Sequence, residues 1–336
     1  MINRSRFLWF SLFVTVLLFS LVSAGLADEL PTNYSDAKKY VRANQPAEAT
    51  LEQVKWTPKQ LCELRDALPE GAVFHFTCQW NGLVFSDESE ILNLNPAKKT
   101  VSGDSLAKII SLCPNLKTVD NVNNKRPSND VFIPLIEQYP DIHFEWVVHL
   151  RGDHYCPTNA TAYSTLNHTD YGIRLKSADL ELLRYVPDLK ALDLGHNLFT
   201  DLNYLRLYPD LELLIISNNK YVDDLTEIGK LQHLKYLEIH NTSVSNLSSL
   251  VGCTELLDLN ISSTSVTDLS PLDGITSLER FWANNVKKLP EAEQNRFNEL
   301  HPSCNADFTR DGSATSHRWR EHERYYHYRQ CFKTLT

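Results

Sequence analysis

Between Pro187 and Leu289 the large aliphatic residues fall into one repeating pattern. Leu189, Leu192 and Leu194 precede Asn197, Leu202 and Leu205. The same places are filled by Leu211, Leu214, Ile216, Asn219, Leu225 and Ile228, then by Leu234, Leu237, Ile239, Thr242, Leu247 and Leu250. A fourth copy runs Leu256, Leu259, Ile261, Thr264, Leu269 and Leu272, and a fifth opens with Leu278 and Phe281. The first leucines are 22, 23, 22 and 22 residues apart. A fixed period of this length predicts a solenoid, because one short strand and its turn cannot cover their apolar side without neighbours. Asn197 and Asn219 are placed to bond main-chain groups of adjacent turns that would otherwise be buried unpaired. Thr242 and Thr264 can do part of this with a hydroxyl. Val286 cannot, so the regular ladder ends there.

Upstream the pattern is coarser. Asp28 to Thr57 is polar, carries Pro31 and Pro46, and reads as a linker with one short helix near Ser35 to Ala43. A helix is predicted from Pro58 to Leu68, with Leu61, Leu64 and Leu68 on one face. Val73 to Phe76 and Trp80 to Phe85 flank Asn81-Gly82, a strong hairpin signal. A strand at Ile91 to Leu94 and a helix carrying Leu106, Ile109, Ile110 and Cys113 follow. The arrangement then recurs: Pro140 opens a second apolar stretch, Trp146 to Leu150 and His154 to Cys156 flank Arg151-Gly152-Asp153, and Leu180, Leu182, Leu183 and Val186 mark a helix. Pro69 to Asn124 spans 56 residues and Pro140 to Asn197 spans 58, which reads as an internal duplication. Further helices are predicted at Val131 to Gln138 and at Pro290 to Leu300.

In such a coil the residues between the inward leucines line up on one parallel sheet. Three columns result: Ala191, Leu213, Tyr236, Asp258 and Arg280; Asp193, Ile215, Glu238, Asn260 and Trp282; Gly195, Ser217, His240, Ser262 and Asn284. Leu213, Ile215, Tyr236 and Trp282 are large apolar groups on a face that water should reach, and apolar patches rimmed by polar groups mark interaction sites. The expected ligand-binding face is therefore Leu213, Ile215, Tyr236, Glu238, His240, Asp258, Asn260, Arg280 and Trp282. The plainer alternative is that the tail or another segment covers it. Binding is preferred, since recognition is the common use of these concave surfaces.

Charge and cysteine content narrow the partners. The 336-residue chain carries a net charge of -9, which becomes -11 when Arg4 and Arg6 are set aside with the first 27 residues. An acidic chain has no general attraction for phosphate backbones, so no nucleic-acid partner is expected. Arg4 and Arg6, the apolar run Phe7 to Val22 and the small residues Ala24, Gly25 and Ala27 read as a cleaved export signal, too short for a stable membrane span. Cys62, Cys78, Cys113, Cys156, Cys253, Cys304 and Cys331 are too scattered for a disulfide framework, and the absence of C-x-x-C removes the usual zinc and redox spacings. Cys113 and Cys253 take aliphatic positions and read as buried thiols; a Cys304 to Cys331 pair across the tail is open.

Candidate chemistry is sparse. Glu238, His240 and Asp258 could form an acid-base set, yet no nucleophile or oxyanion donor accompanies them. His149, Asp153, His154 and Cys156 could bind a metal, but mixed facing on a hairpin explains them equally well. Arg151-Gly152-Asp153 fits a tight turn with glycine supplying positive φ. The closing cluster, His317, Arg318, Trp319, Arg320, His322, Arg324, Tyr325, Tyr326, His327, Tyr328 and Arg329, is consistent with contact to an anionic glycan or nucleic acid. An aromatic cap on the last repeat is the preferred reading. Sequons stand at Asn33, Asn159, Asn167, Asn241, Asn246 and Asn260, and a glycan at Asn260 would block the proposed face.

At these residues the chain resembles the 22-residue leucine-rich repeats of the SDS22-like and internalin type, including Thr267-Asp268-Leu269-Ser270-Pro271-Leu272. More narrowly it resembles secreted leucine-rich-repeat proteins of Gram-positive gut bacteria. The likeness lies in the hairpin-bearing units, in Leu-Asp-Leu-Gly-His-Asn at Leu192 to Asn197, and in Trp-Arg-x-His-x-Arg-Tyr at Trp319 to Tyr325. The resemblance implies an α/β fold, a leucine-rich-repeat solenoid or horseshoe with a parallel strand face and irregular hairpin-bearing amino-terminal units. It also implies adhesion to a protein or cell-surface ligand, without the wall-anchoring segment of internalins. The expected organisation is a signal peptide at 1–27, a polar linker at 28–57, irregular helix and hairpin units at 58–165, regular repeats at 166–300, and a cap or tail at 301–336. The expected function is a secreted or cell-surface, non-enzymatic binding protein with no cofactor and no metal. A hydrolase with its site in the hairpin units, or a structural cell-wall component, are the alternatives.

Overall fold

The computed structural model describes residues 27–167, 173–315 and 319–333, so the export segment expected at 1–27 lies outside it except for Ala27. His317 and Arg318 also lie outside it. The described residues divide into two compact units, one ending at Lys117 and one beginning at Thr118. The division falls inside the stretch 58–165 that the sequence pattern grouped together.

The first unit runs β1 (Asp28–Glu29), α1 (Tyr34–Asn44), β2 (Glu48–Val54), α2 (Pro58–Arg65), β3 (Val73–Trp80), β4 (Leu83–Ser86), β5 (Ile91–Asn93) and α3 (Gly103–Leu112). β1 to β4 make one sheet in that order, with β1, β2 and β3 parallel and β3 to β4 antiparallel. The short helix expected near Ser35 to Ala43 is α1, but the rest of the segment expected as a linker, 28–57, is built into the sheet as β1 and β2. Its few apolar residues are spaced to fall on buried sides: Ala37 and Val41 one helical turn apart on α1, Ala49 and Leu51 alternating on β2. Asn33 caps α1 by accepting the N–H groups of Ser35 and Asp36. Thr57 and Gln60 form a reciprocal capping box on α2, with Pro58 at its start. The hairpin turns at Asn81 and Gly82, with φ of 54° and 88°. Gly82 is required twice over, because a Cβ there would come within 2.5 Å of the Pro96 carbonyl oxygen.

The second unit begins with β6 (Thr118–Asp120), α4 (Asn129–Gln138) and β7 (His143–Glu145), where β6 and β7 pair in parallel. The antiparallel hairpin β8 (Val147–His149) and β9 (Tyr155–Pro157) follows. Beside it the buried Trp146 stacks on Phe132 with ring centroids 5.4 Å apart. The chain continues through β10 (Ala162–Ser164), α5 (Ser177–Leu180), β11 (Ala191–Asp193), β12 (Leu213–Ile215), β13 (Tyr236–Glu238), β14 (Asp258–Asn260), β15 (Arg280–Trp282), α6 (Glu291–Leu300), β16 (Asn305–Asp307) and α7 (Glu323–Lys333).

β10 to β16 form one seven-stranded sheet in sequence order, every neighbour parallel. The register is the one the leucine period dictates: Ala191, Leu213, Tyr236, Asp258 and Arg280 are successive partners, as are Asp193, Ile215, Glu238, Asn260 and Trp282. Between them Leu192, Leu214, Leu237, Leu259 and Phe281 point into the coil and are fully buried. The ladder is longer than the repeat pattern, since β10 precedes it and β16 follows it. Asn219 Nδ2 donates to Leu194 O at 2.9 Å and Ile216 O at 2.8 Å, and Asn197 Nδ2 to Leu194 O at 3.0 Å and Gly195 O at 2.9 Å. Thr242 and Thr264 each keep one such bond, to Ile239 O and Ile261 O at 2.7 Å.

The far end of the coil is closed by α6 and β16. Phe281 of β15 packs on Phe297 of α6 at 4.6 Å and on Phe308 at 5.7 Å, and Phe297 stacks on His301 at 4.5 Å. The aromatic tail, expected as the end cap, is free for a different use.

Candidate functional site

Each of the nine residues expected on the binding face is where the columns place it, and each is buried. The expectation that water reaches this face is corrected. A three-residue turn at Trp319–Glu321 and helix α7 lie across the strands, and Trp319, Tyr325 and Phe332 join Ala162, Ala191, Leu213, Ile215, Tyr236 and Trp282 in one apolar cluster. The physical reason is apolar area. An open Tyr236 and Trp282 flanked by Leu213 and Ile215 would leave a large patch in water, and the tail removes it.

Trp319 is the anchor. Its ring sits 5.6 Å from Tyr236 and 5.1 Å from Trp282, centroid to centroid. Its indole Nε1 donates to Glu238 Oε1 at 2.9 Å, and its carbonyl accepts Arg280 at 2.6 Å. The Arg280 guanidinium in turn lies 4.3 Å from the centre of the Trp319 ring. Tyr325 and Tyr328 complete the aromatic layer, at 6.3 Å and 5.2 Å from Tyr236.

Two acids form the floor and two tail arginines meet them. Glu238 Oε2 accepts Arg320 at 2.7 Å, while its Oε1 also accepts the Tyr236 hydroxyl. Asp258 is approached by Arg324 Nε at 2.9 Å and by Arg280 at 3.4 Å. These Asp258 contacts are ionic without hydrogen-bond alignment, and both its oxygens remain without a hydrogen bond. That difference separates the two carboxyls. Burial raises Asp258 to about 6 even against Arg280 and Arg324. Burial pushes Glu238 the same way, but the charges of Arg320 and His240, with the hydrogen bonds from Arg320 and Tyr236, outweigh it and lower its pKa. Asp193 is raised to about 6 by burial and then by Glu238. Burial lowers His240 to about 4, although Glu238 lies 3.5 Å away and pulls it upward. His240 Nδ1 is 2.9 Å from the Ser217 hydroxyl.

The remaining candidates do other work. Asn260 donates to Ala314 O at 2.7 Å from full burial, so this sequon is shut inside the fold. His154 faces Ile173 O at 3.0 Å, His149 packs edge-on to Tyr155 at 4.7 Å, and Cys156 is buried, so these hairpin groups have separate partners. Gly152 turns the hairpin with φ of 57°, and a Cβ there would meet Ile173 Cδ1 at 2.3 Å. Among the described residues no helix is long and apolar enough to cross a membrane. Sequence reasoning grouped Trp319, Arg320, Arg324, Tyr325 and Tyr328 correctly and preferred the end of the coil for them, whereas the alternative it set aside, a tail that covers the strand face, is the arrangement found. The missed signal was complementarity: two arginines four residues apart, against acids on neighbouring strands.

No family model matches the chain, and no curated protein matches it. Among solved structures, the internalin InlF of Listeria monocytogenes aligns at 18% identity with a TM-score of 0.39, over 64% of this chain and 53% of its own. A leucine-rich-repeat protein of Leptospira interrogans aligns at 20% identity and 0.41, over 83% and 75%. The plant peptide hormone receptor RGFR1, solved in complex with RGF2, aligns at 12% and 0.31, over 70% and 34%. The chain thus spans about half the length of the internalin it matches. By its own repeat and strand register, the chain is an α/β leucine-rich-repeat solenoid with a parallel strand face.

Proposed function

We propose that this protein is a secreted or surface-held, non-enzymatic binding protein. It takes a protein ligand on the strand face formed by Leu213, Ile215, Tyr236, Glu238, His240, Asp258, Asn260, Arg280 and Trp282. The observation that carries this reading is the seat of Trp319, an indole packed on two aromatic rings with its N–H on the buried Glu238. Tryptophan, tyrosine and arginine held in a desolvated centre are the residues that dominate protein interfaces. The face therefore has the chemistry of a recognition surface, and the tail is its occupant within the chain. Export rests on the segment 1–27, and the acidic balance speaks against a nucleic-acid ligand.

The test is capture of partners from the native cell surface with three proteins. Arg320→Ala combined with Arg324→Ala loosens the tail and is expected to capture more partner than wild type. Adding Glu238→Gln to that pair is expected to reduce capture again, because it alters the floor of the site. Equal capture by all three would place any binding elsewhere on the molecule.

A further inference from the structure

Resting on that reading, we infer that the ligand of the strand face is a turn-and-helix segment bearing an indole, arginines and an aromatic stripe, and that residues 319–333, a turn followed by α7, are such a ligand held in the same chain and exchangeable for a like segment from another protein. The floor of the face specifies the pattern. Glu238 and Asp258 stand on adjacent strands, and each takes one tail arginine, Arg320 and Arg324 respectively. Tyr236 and Trp282 both pack on an indole immediately before the first arginine. Tyr325 and Phe332 then fill the apolar ground that reaches Ala191 and Ala162.

Two features describe how this occupant is held, and the second separates it from an ordinary piece of core. The bonds from 319–333 to the strands run through side chains: the Trp319 indole, Arg320 and Arg324 reach out, and Arg280 reaches back to the Trp319 carbonyl. The backbone ladder of the sheet ends separately, at β16. The contact is also built on buried ions. An apolar lid would cover Leu213 and Ile215 as well or better, because desolvating carboxylates and guanidinium groups offsets much of their attraction. What buried ion pairs add is discrimination: they fix register and penalise partners that leave a charge unpaired. A face that carries Glu238, Asp258 and Arg280 at its floor is selective for a particular cationic, aromatic turn-and-helix segment.

A tethered occupant competes with any outside ligand at an effective concentration in the millimolar range, on the order of that for a short linker. The competition can be measured on the whole chain. A protease site is inserted after Thr315, the folded protein is cleaved there, and a fluorescent peptide of residues 319–333 is added while anisotropy is followed. Saturable uptake is expected, reversed by unlabelled peptide. A peptide with Arg320→Ala should bind about tenfold more weakly or worse, with Arg320→Lys between the two. No uptake overturns the inference, whether the original tail never leaves or the body unfolds when it does. Uptake that ignores Arg320→Ala overturns it as well. If the peptide fails while the loosened-tail protein still captures a partner through Glu238, the helix chemistry is wrong and the binding face stands. If both fail, both readings fall.

Discussion

The carboxylate of Glu238, in the middle of the strand ladder, accepts the indole N–H of Trp319 at 2.9 Å across 81 residues of chain. Its other oxygen accepts Arg320 at 2.7 Å, and the Tyr236 hydroxyl bonds it from the same strand. One fully buried acid thus joins the regular repeats to a tail that shares none of their pattern. Glu238→Ala would leave the indole, the phenol and the guanidinium without their acceptor, and is expected to cost about 3–5 kcal/mol. Glu238→Gln keeps an acceptor and should cost less, about 1–3 kcal/mol. Urea midpoints of the two variants check this. A wild-type midpoint for Glu238→Ala would mean that the tail is not docked on the strands.

The inward column makes a separate claim. Leu237 is fully buried between Leu214 and Leu259, so Leu237→Ala should cost about 2–5 kcal/mol through lost transfer energy and the cavity left behind. Val251 is 58% exposed on a turn outside the sheet, and Val251→Ser should stay within about 0.5 kcal/mol of wild type. Thermal unfolding of both proteins decides whether the leucine period was assigned to the correct side.

The asparagine ladder should be graded along the coil. Asn219 Nδ2 serves carbonyls on two successive turns, whereas Thr264 bonds only its own turn at Ile261 O. Asn219→Ala strands buried carbonyls and is expected to cost about 1–3 kcal/mol. Thr264→Ala should fall near the lower end of that range. Denaturant titration of the pair would show the reverse order if the threonine turns were the better bonded.

The strand register was legible because it rests on one variable, the spacing of aliphatic residues, repeated often enough to overcome local noise. Leu192, Leu214, Leu237 and Leu259 needed only counting. In the segment 28–57 only the helix α1 was legible, and its place in a packed unit was not, for the opposite reason. The segment's buried set is small, Leu30, Ala37, Val41, Pro46, Ala49, Leu51, Val54 and Trp56, and its polar residues outnumber them, so composition hid the alternation of Ala49 and Leu51 on β2. The tail was half legible. Its aromatic and basic residues announced a packed element, but its partner depends on long-range pairing of Arg320 and Arg324 with Glu238 and Asp258. No local period encodes a contact across 81 residues.

Burial of the face also leaves a pH signature. His240 is held neutral by burial, its pKa lowered to about 4, while an unfolded imidazole titrates near ~6.5. Between those values the unfolded chain binds a proton that the folded chain refuses. The contribution of His240 is therefore complete above about 6.5 and is lost as pH falls toward 4, at up to about 1.4 kcal/mol per pH unit. Asp193 and Asp258 act in the other sense. Burial raises both to about 6, so their contribution is complete below the unfolded value of about 3.9 and is lost as pH rises through 6. The opposing slopes make the wild-type profile a poor test, but a difference isolates one group. Glutamine can keep the hydrogen bond to Ser217 without titrating. The stability difference between His240→Gln and wild type should be constant above pH 7 and move in the variant's favour as pH falls from 6.5 to 4. Guanidinium unfolding at half-unit steps would measure it. A flat difference across that window would mean that His240 titrates as it does in water, and that the strand face beneath the tail is open.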